Sequence, residues 1–423
     1  MIRAGGGSAP PPATAAWLNR TVWGMAATSF LSDLGHEAQS TLLPGFMAAL
    51  GLPPAALGLV EGAADAASSF MKLLAGWFSD RLGRRKSLVV FGYLATGLSS
   101  GFIALAAGWP LILAGKFFGW VGRGGKAPLR DALLTDSIPS EARGRAFGFH
   151  RAGDTLGAIL GPLAAVGLMA WGAGHGMRPL HWSRTLIAWT LVPGVLSALA
   201  FAVLVPERAR NPRERPSFRH ALSRMPAGFR RMLAGVGCFG AGDFAHTMLI
   251  LAATQLLAAR LGLGRAAAWG GMLYVLHNVV YALSAYPVGA LADHWRNHRR
   301  ILGLGYALGA LVPLALIPCF NRGWAGLPAL AGIFALAGLV SGIKDTLEGA
   351  AAAELVPAEH RGLGFGLLGG VNGVGDLVSS VLVGALWTLH PTLGFGYAAA
   401  LMGLGAGVML AKGGSIPLDV SRT

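Results

Sequence analysis

Twelve stretches of this chain are apolar and each holds about 20 residues or more, enough to cross roughly 30 Å of hydrocarbon at 1.5 Å per residue. Their limits are near 21–48, 54–79, 87–107, 110–136, 145–172, 184–205, 229–259, 266–291, 301–319, 325–354, 363–389 and 393–412. Short basic loops separate them. Nothing constrains a fold more, because in lipid every backbone polar group must be satisfied within the protein, which leaves helices or a closed barrel. A barrel would show alternation with period two, and none is visible. The reading is an all-α membrane protein of twelve transmembrane helices. Composition agrees: only 13% of the 423 residues are charged, against about 25% in soluble domains. The net charge of +15 does not indicate nucleic acid, because the basic residues lie in the loops between spans, where they set topology.

Placing the N-terminus inside puts Arg81, Arg84, Arg85, Lys86, Arg143, Arg145, Arg296, Arg299, Arg300 and Arg361 on the cytoplasmic side. It leaves only Arg178, Arg184, Arg260, Arg265 and Arg322 outside. Both termini are therefore expected in the cytoplasm, and the protein in a bacterial inner membrane. Residues 1–20 read as a cytoplasmic tail without the apolar core of a signal peptide. Residues 21–205 form a first six-helix bundle, 206–228 a basic linker, 229–412 a second bundle and 413–423 a tail. Cys238 and Cys319 lie in apolar segments with no metal-ligand spacing and read as packing residues. No Walker-type phosphate loop is present, and no cofactor or enzymatic activity is expected.

The chain is internally duplicated. Pro139-Ser-Glu-Ala-Arg-Gly-Arg-Ala-Phe-Gly148 matches Pro357-Ala-Glu-His-Arg-Gly-Leu-Gly-Phe-Gly366. In the same register Lys126 meets Lys344, Asp136 meets Glu354, Asp154 meets Asn372 and Gly157 meets Gly375. Asp33-Leu-Gly-His36 matches Asp243-Phe-Ala-His246, and Asp65 meets Asn278. Repeats of this kind mark transporters whose site lies between the two halves.

Gly76-Trp-Phe-Ser-Asp80-Arg81-Leu-Gly83-Arg84-Arg85-Lys86 sits between the second and third spans, with a weaker copy from Gly289 through Asp293 to Arg299 and Arg300. With Gly157-x-x-x-Gly161-Pro162 in the fifth span, these strings resemble the major facilitator superfamily over nearly the whole chain. The resemblance implies a rocking carrier with a central cavity lined by helices 1, 4, 7 and 10. It implies that Asp80 and the neighbouring arginines tie the cytoplasmic helix ends together in one state. Asp136 and Glu354 are then expected partners for Arg84 and Arg299. The helix 5 string resembles a motif of the family's exporters. Two departures stand out: the second copy has Asn297-His298 where the first has Arg84-Arg85, and Lys116 stands near where the family often has an Arg.

An ionisable side chain inside a span costs about 2.5 kcal/mol or more unless it is paired or faces water, so the mid-span charges are the functional candidates. They are Asp33, His36 and Glu37 on one face of the first span, Asp65 in the second, Lys126 and Arg130 in the fourth, and Asp154 in the fifth. The second half adds Asp243, His246, Lys344, Glu348 and Asp376. Three roles remain open. A carboxylate beside a histidine suits a proton relay, because buried carboxylates ionise late and histidine titrates near neutrality. Asp33, His36, Asp243 and His246 could instead face each other around a divalent metal. Lys126, Arg130 and Lys344 could hold an anionic substrate. The bland alternative is internal salt bridges between spans. The leading expectation is a proton-coupled carrier of a small solute, working in the bilayer as a monomer and leaning to export. The rivals are a metal-ion carrier and a non-transporting receptor.

Overall fold

The computed structural model describes residues 18–79, 85–138, 143–207, 226–295, 297–323, 326–356 and 361–411. Within them lie α1 (Arg20–Ala49), α2 (Pro54–Ser79), α3 (Lys86–Leu105), α4 (Trp109–Thr135), α5 (Arg143–Gly174), α6 (Pro179–Trp189) and α7 (Leu191–Leu204). The second half contributes α8 (Ala227–Gly240), α9 (His246–Leu261), α10 (Leu263–Trp295), α11 (His298–Arg322), α12 (Leu327–Leu355), α13 (Arg361–Leu389) and α14 (Pro391–Leu410). α6 and α7 together make one crossing, 26 residues long, and α8 and α9 make another, so the fourteen helices form twelve crossings in two six-helix bundles. Eight of the crossings are apolar throughout a membrane-spanning window. The other four are α1, α2, α4 and the broken α8–α9 crossing, and they carry much of the mid-span charge.

Two expected spans differ in detail. The sixth starts earlier than position 184 and is interrupted at Thr190. The seventh is not one helix: residues 241–245 leave the helical path between α8 and α9. The cause is local. Gly240 and Gly242 weaken the helix, yet they are needed there, since a methyl at Gly242 would lie 2.5 Å from Ala398 O on α14. The freed backbone groups find hydroxyl partners. Ser379 Oγ donates to Asp243 O at 2.9 Å, and Ala245 N donates to Ser380 Oγ at 3.2 Å. A polar break at mid-depth is tolerable because it lines a cavity rather than lipid.

The Gly157–Gly161 string packs α5 against α1. A methyl at Gly157 would lie 2.5 Å from Phe30 O, and one at Gly161 would strike Leu34 O. Such close approach is how helices gain contact in lipid, where tails are as apolar as leucine.

The halves meet mainly through α2 against α13 and α5 against α10. Call the face where α1 starts and α14 ends the terminal face, and the other the distal face. Toward the distal face one apolar cluster crosses both halves, including Leu43, Phe46, Val60 and Val166 with Met248, Leu249, Phe334 and Trp387. Gly58 and Gly384 let α2 and α13 touch there. Toward the terminal face the apolar clusters separate. One holds Val22, Tyr93, Leu133 and Phe201 of the first half. The other holds Phe229, Phe239, Leu302 and Tyr306 of the second. The molecule is thus sealed between its halves at the distal face and splayed toward the terminal face.

Candidate functional site

At mid-depth the ionisable side chains sort into three groups. The first lies within the first half. Arg123 Nη1 is 3.3 Å from Asp33 Oδ1. Lys126, one turn on, is buried and takes a different partner: its Nζ donates to Ser32 Oγ at 3.0 Å and stands 3.7 Å from the centre of the Tyr93 ring. Arg130 pairs with Asp131 at 3.0 Å and reaches Ser29 Oγ at 3.4 Å. Ser29 Oγ also meets His150 Nε2 at 2.8 Å, and His150 Nδ1 is 3.6 Å from Asp154.

The second group bridges the halves. Lys116 is fully buried and paired with Glu61 at 3.0 Å, with its ammonium 4.3 Å from the Trp120 ring centre. Trp120 Nε1 donates to Asp65 at 2.6 Å, and the His36 ring lies 4.3 Å from the indole. Glu37 crosses to the other half, where Tyr274 donates its hydroxyl at 2.8 Å. Tyr274 in turn stacks on His246, with ring centroids 4.8 Å apart and planes within 5°. The His277 ring lies 5.5 Å from Tyr274 and 6.4 Å from His246, so the three rings form a cluster. Nearer the terminal face a second bridge runs from Arg151 through the Tyr281 hydroxyl to Asp345, at 3.0 and 3.1 Å.

The third group belongs to the second half. Lys344 Nζ donates to Asp243 Oδ2 at 2.6 Å, across the break between α8 and α9. Glu348 is buried and accepts from Tyr306 and from Asn372, both at 2.6 Å. A cavity of about 220 Å³ opens here, walled by Asp65, Asp243, Phe244, His246, His277, Val340, Ser341, Lys344, Asp376 and Met402 among others. It touches both halves, because Asp65 comes from α2.

The sequence model of the Major Facilitator Superfamily matches residues 25–268 and 235–417. The chain belongs to the major facilitator superfamily. It is a multi-pass membrane transporter rather than an enzyme. One relative is an uncharacterised MFS-type transporter of Methanocaldococcus jannaschii, 27% identical over 386 residues, covering 91% of this chain and 92% of that one. Another, named a gallate transporter, of Pseudomonas putida, is 27% identical, with 86% and 84% coverage. Among solved structures, a mutant form of the nucleoside transporter NupG superposes with a TM-score of 0.70 at 13% identity, covering 92% of this chain and 97% of that one.

Within this superfamily frame several expectations change. Asp33, His36, Asp243 and His246 do not converge on a metal. Each goes to a separate partner: Arg123, Trp120, Lys344 and Tyr274. No group of three or more His, Cys, Asp or Glu side chains suited to a metal occurs among the described residues. The basic trio expected to hold an anion is also dispersed, with Lys126 buried on Tyr93, Arg130 on Asp131 and Lys344 on Asp243.

At the terminal face, Asp136 pairs with Arg85 at 3.3 Å. Asp80, Arg81, Gly83 and Arg84 lie outside the described residues, as do the surroundings of Gly76 and the side chain of Asp293. In the second copy Glu354 pairs with His298 Nδ1 at 2.7 Å, not with Arg299. Arg299 instead caps the end of α14, donating to Met409 O at 3.0 Å and Ala411 O at 2.8 Å. The geometry explains the swap: His298 follows the first residue of its string as Arg85 follows Arg84, so the two ion pairs are equivalents.

Sequence reasoning missed the aromatic partners. Trp120, Tyr274, His277, Tyr281 and Tyr306 supply much of the hydrogen bonding and stacking around the charges. The available signal was position, since each sits well inside a span rather than at the interface where Trp and Tyr gather.

Proposed function

We propose that this superfamily member is a proton-coupled secondary carrier that moves a small organic solute by alternating access. Both termini face the cytoplasm, as the Lys and Arg distribution supports, so the splayed terminal face is the cytoplasmic one and the structure is inward-open. The carrier works as a monomer in a bacterial inner membrane. The six-helix units 21–205 and 229–412 rock about the central site, joined by the basic linker 206–228. The names of the relatives, a gallate transporter and a nucleoside transporter, support a small organic solute in general terms.

One observation carries the proton coupling. Asp65 and Asp376, contributed by different halves, face one cavity and neither forms an ion pair among the described residues. Carboxylates placed so, at mid-depth beside His246 and His277, can take up a proton in one state and release it in the other. Asp33 and Asp243 are held by Arg123 and Lys344, which makes them candidates for the exchange of partners that accompanies rocking. The glycine string of α5, which packs against α1, resembles a motif of the superfamily's exporters and so favours export.

The test is flux in proteoliposomes made from the purified protein. An imposed pH gradient is expected to drive solute movement against its concentration, and Asp376→Asn to leave downhill exchange at saturating solute while abolishing the response to the gradient. Flux indifferent to the gradient would sink the proton coupling, and no flux at all would sink the carrier.

A further inference from the structure

We infer that the central cavity selects a small organic cation, such as a protonated amine or a quaternary ammonium with an apolar body. The inference rests on the carrier reading and names the substrate class of the same site. Three carboxylates line the cavity, Asp65, Asp243 and Asp376, against one cation, Lys344. The Lys344 ammonium is already committed to Asp243 at 2.6 Å. What remains is two carboxylates facing one cavity from opposite halves. Among the described residues Asp65 receives only the Trp120 indole N–H, at 2.6 Å. The Asp376 carboxylate has no hydrogen bond among the described residues, the Ser379 hydroxyl going to its backbone carbonyl instead.

The rest of the wall suits the body of such a ligand. Phe244, Leu249, Val312, Val340 and Met402 add apolar surface to the wall that holds the acids. Phe244 adds an aromatic face, which attracts a cation as well as an alkyl or aryl group. Polar and apolar groups share this wall about equally, so a ligand would be oriented by charge as well as held by shape.

An anion finds no equivalent welcome. Arg123 is held by Asp33, Lys116 by Glu61 and Arg130 by Asp131. Lys126 is 4% exposed and seated on the Tyr93 ring. Lys72, two turns along α2 from Asp65 and outside the cavity wall, is within electrostatic reach of Asp65, Asp376 and Asp345, so its charge too is set against acids. An anion entering would have to displace an existing carboxylate or sit beside Asp65 and Asp376. The gallate relative therefore shares the fold without setting the charge preference of this site.

The experiment is equilibrium binding to the full-length protein in lipid nanodiscs at one fixed pH, with two probes of similar size and opposite charge. Benzyltrimethylammonium is expected to bind saturably and phenylacetate at least tenfold more weakly. Asp376→Asn and Asp65→Asn are each expected to weaken the cation by tenfold or more, while Asp376→Glu, which keeps the charge, stays within about threefold of the wild type. That last variant separates a lost charge from a misfolded protein. Tighter binding of phenylacetate, no saturable binding of either probe, or unchanged cation affinity in Asp376→Asn would each overturn the inference. Failure of the carrier reading would look different: cation binding as expected, but no gradient-driven flux.

Discussion

In the first half the mid-span charges balance. Lys72, Lys116, Arg123, Lys126, Arg130 and Arg151 stand with Asp33, Glu37, Glu61, Asp65, Asp131 and Asp154. In the second half a single cation, Lys344, faces Asp243, Asp345, Glu348 and Asp376. The duplication makes the contrast sharper, because equivalent positions have changed sign or lost charge. Arg130 of the first half aligns with Glu348 of the second in the register that pairs Lys126 with Lys344. Asp154 aligns with Asn372. Arg130 is tied up by a neighbouring carboxylate, whereas Glu348 is tied up by neutral donors from Tyr306 and Asn372. One repeat has become a neutralised scaffold and the other an acidic wall. The backbone follows the same division: α1 runs unbroken past Asp33, while its counterpart opens between α8 and α9 at Asp243.

The two lysine pairs break or sharpen that division most directly. Lys116–Glu61 belongs to the scaffold, with side chains 1% and 4% exposed. Lys116→Met leaves a buried carboxylate without its cation, which costs about 3–5 kcal/mol. Thermal unfolding in detergent is expected to show a large loss, recovered in the double variant Lys116→Met, Glu61→Gln. Lys344–Asp243 is wetter, at 24% exposure on each side. Lys344→Met is expected to unfold close to the wild type yet transport poorly. If Lys344→Met were the more unstable of the two, the scaffold and the working wall would have been assigned to the wrong halves.

How far these roles were legible in the sequence differs residue by residue. The twelve crossings were, since span length and apolarity are imposed by the bilayer. So was the equivalence of Asp33 with Asp243 and of Lys126 with Lys344, which needs only alignment. The pairing was not. Arg123 and Lys126 are one turn apart on α4 and either could reach Asp33; the choice falls to Arg123 because Tyr93, from α3, offers its ring to Lys126. That is a fact of packing among three helices, invisible in any one of them. The break at 241–245 was half legible. Gly240 and Gly242 weaken a helix, but many glycines in this chain lie inside intact ones. What decides it is Ser379 and Ser380 of α13, which satisfy the released backbone.

A smaller contrast lies at the terminal face. The Arg85 side chain is 3% exposed and Asp136 33%, whereas His298 is 11% exposed and Glu354 53%. Asp136→Ala removes a charged partner from a buried guanidinium and is expected to cost about 2–3 kcal/mol. Glu354→Ala removes a half-exposed carboxylate from a mostly buried histidine and is expected to cost below about 1 kcal/mol. Paired thermal unfolding measurements on the two variants check the order. Equal losses would mean that the second lock is as strong as the first, and that the replacement of arginine by histidine carries no consequence.

The finest test falls on the contact that joins the two halves. Glu37 of the balanced half accepts from Tyr274 of the acidic half at 2.8 Å, beside the apolar cluster that seals the distal face. In the proposed rocking cycle the opposite state parts these residues. Tyr274→Phe removes the hydroxyl but keeps the ring that stacks on His246, so it isolates the hydrogen bond from the stack. The bond is worth about 1–2 kcal/mol to the sealed state, and losing it shifts the balance toward a distal-open form roughly 5- to 30-fold. Spin labels across the distal ends of α2 and α13 are expected to report a longer distance in a larger fraction of Tyr274→Phe molecules than of the wild type. An unchanged distribution would mean that the apolar cluster alone holds the halves together, and that the polar bridge serves only to position His246 at the cavity.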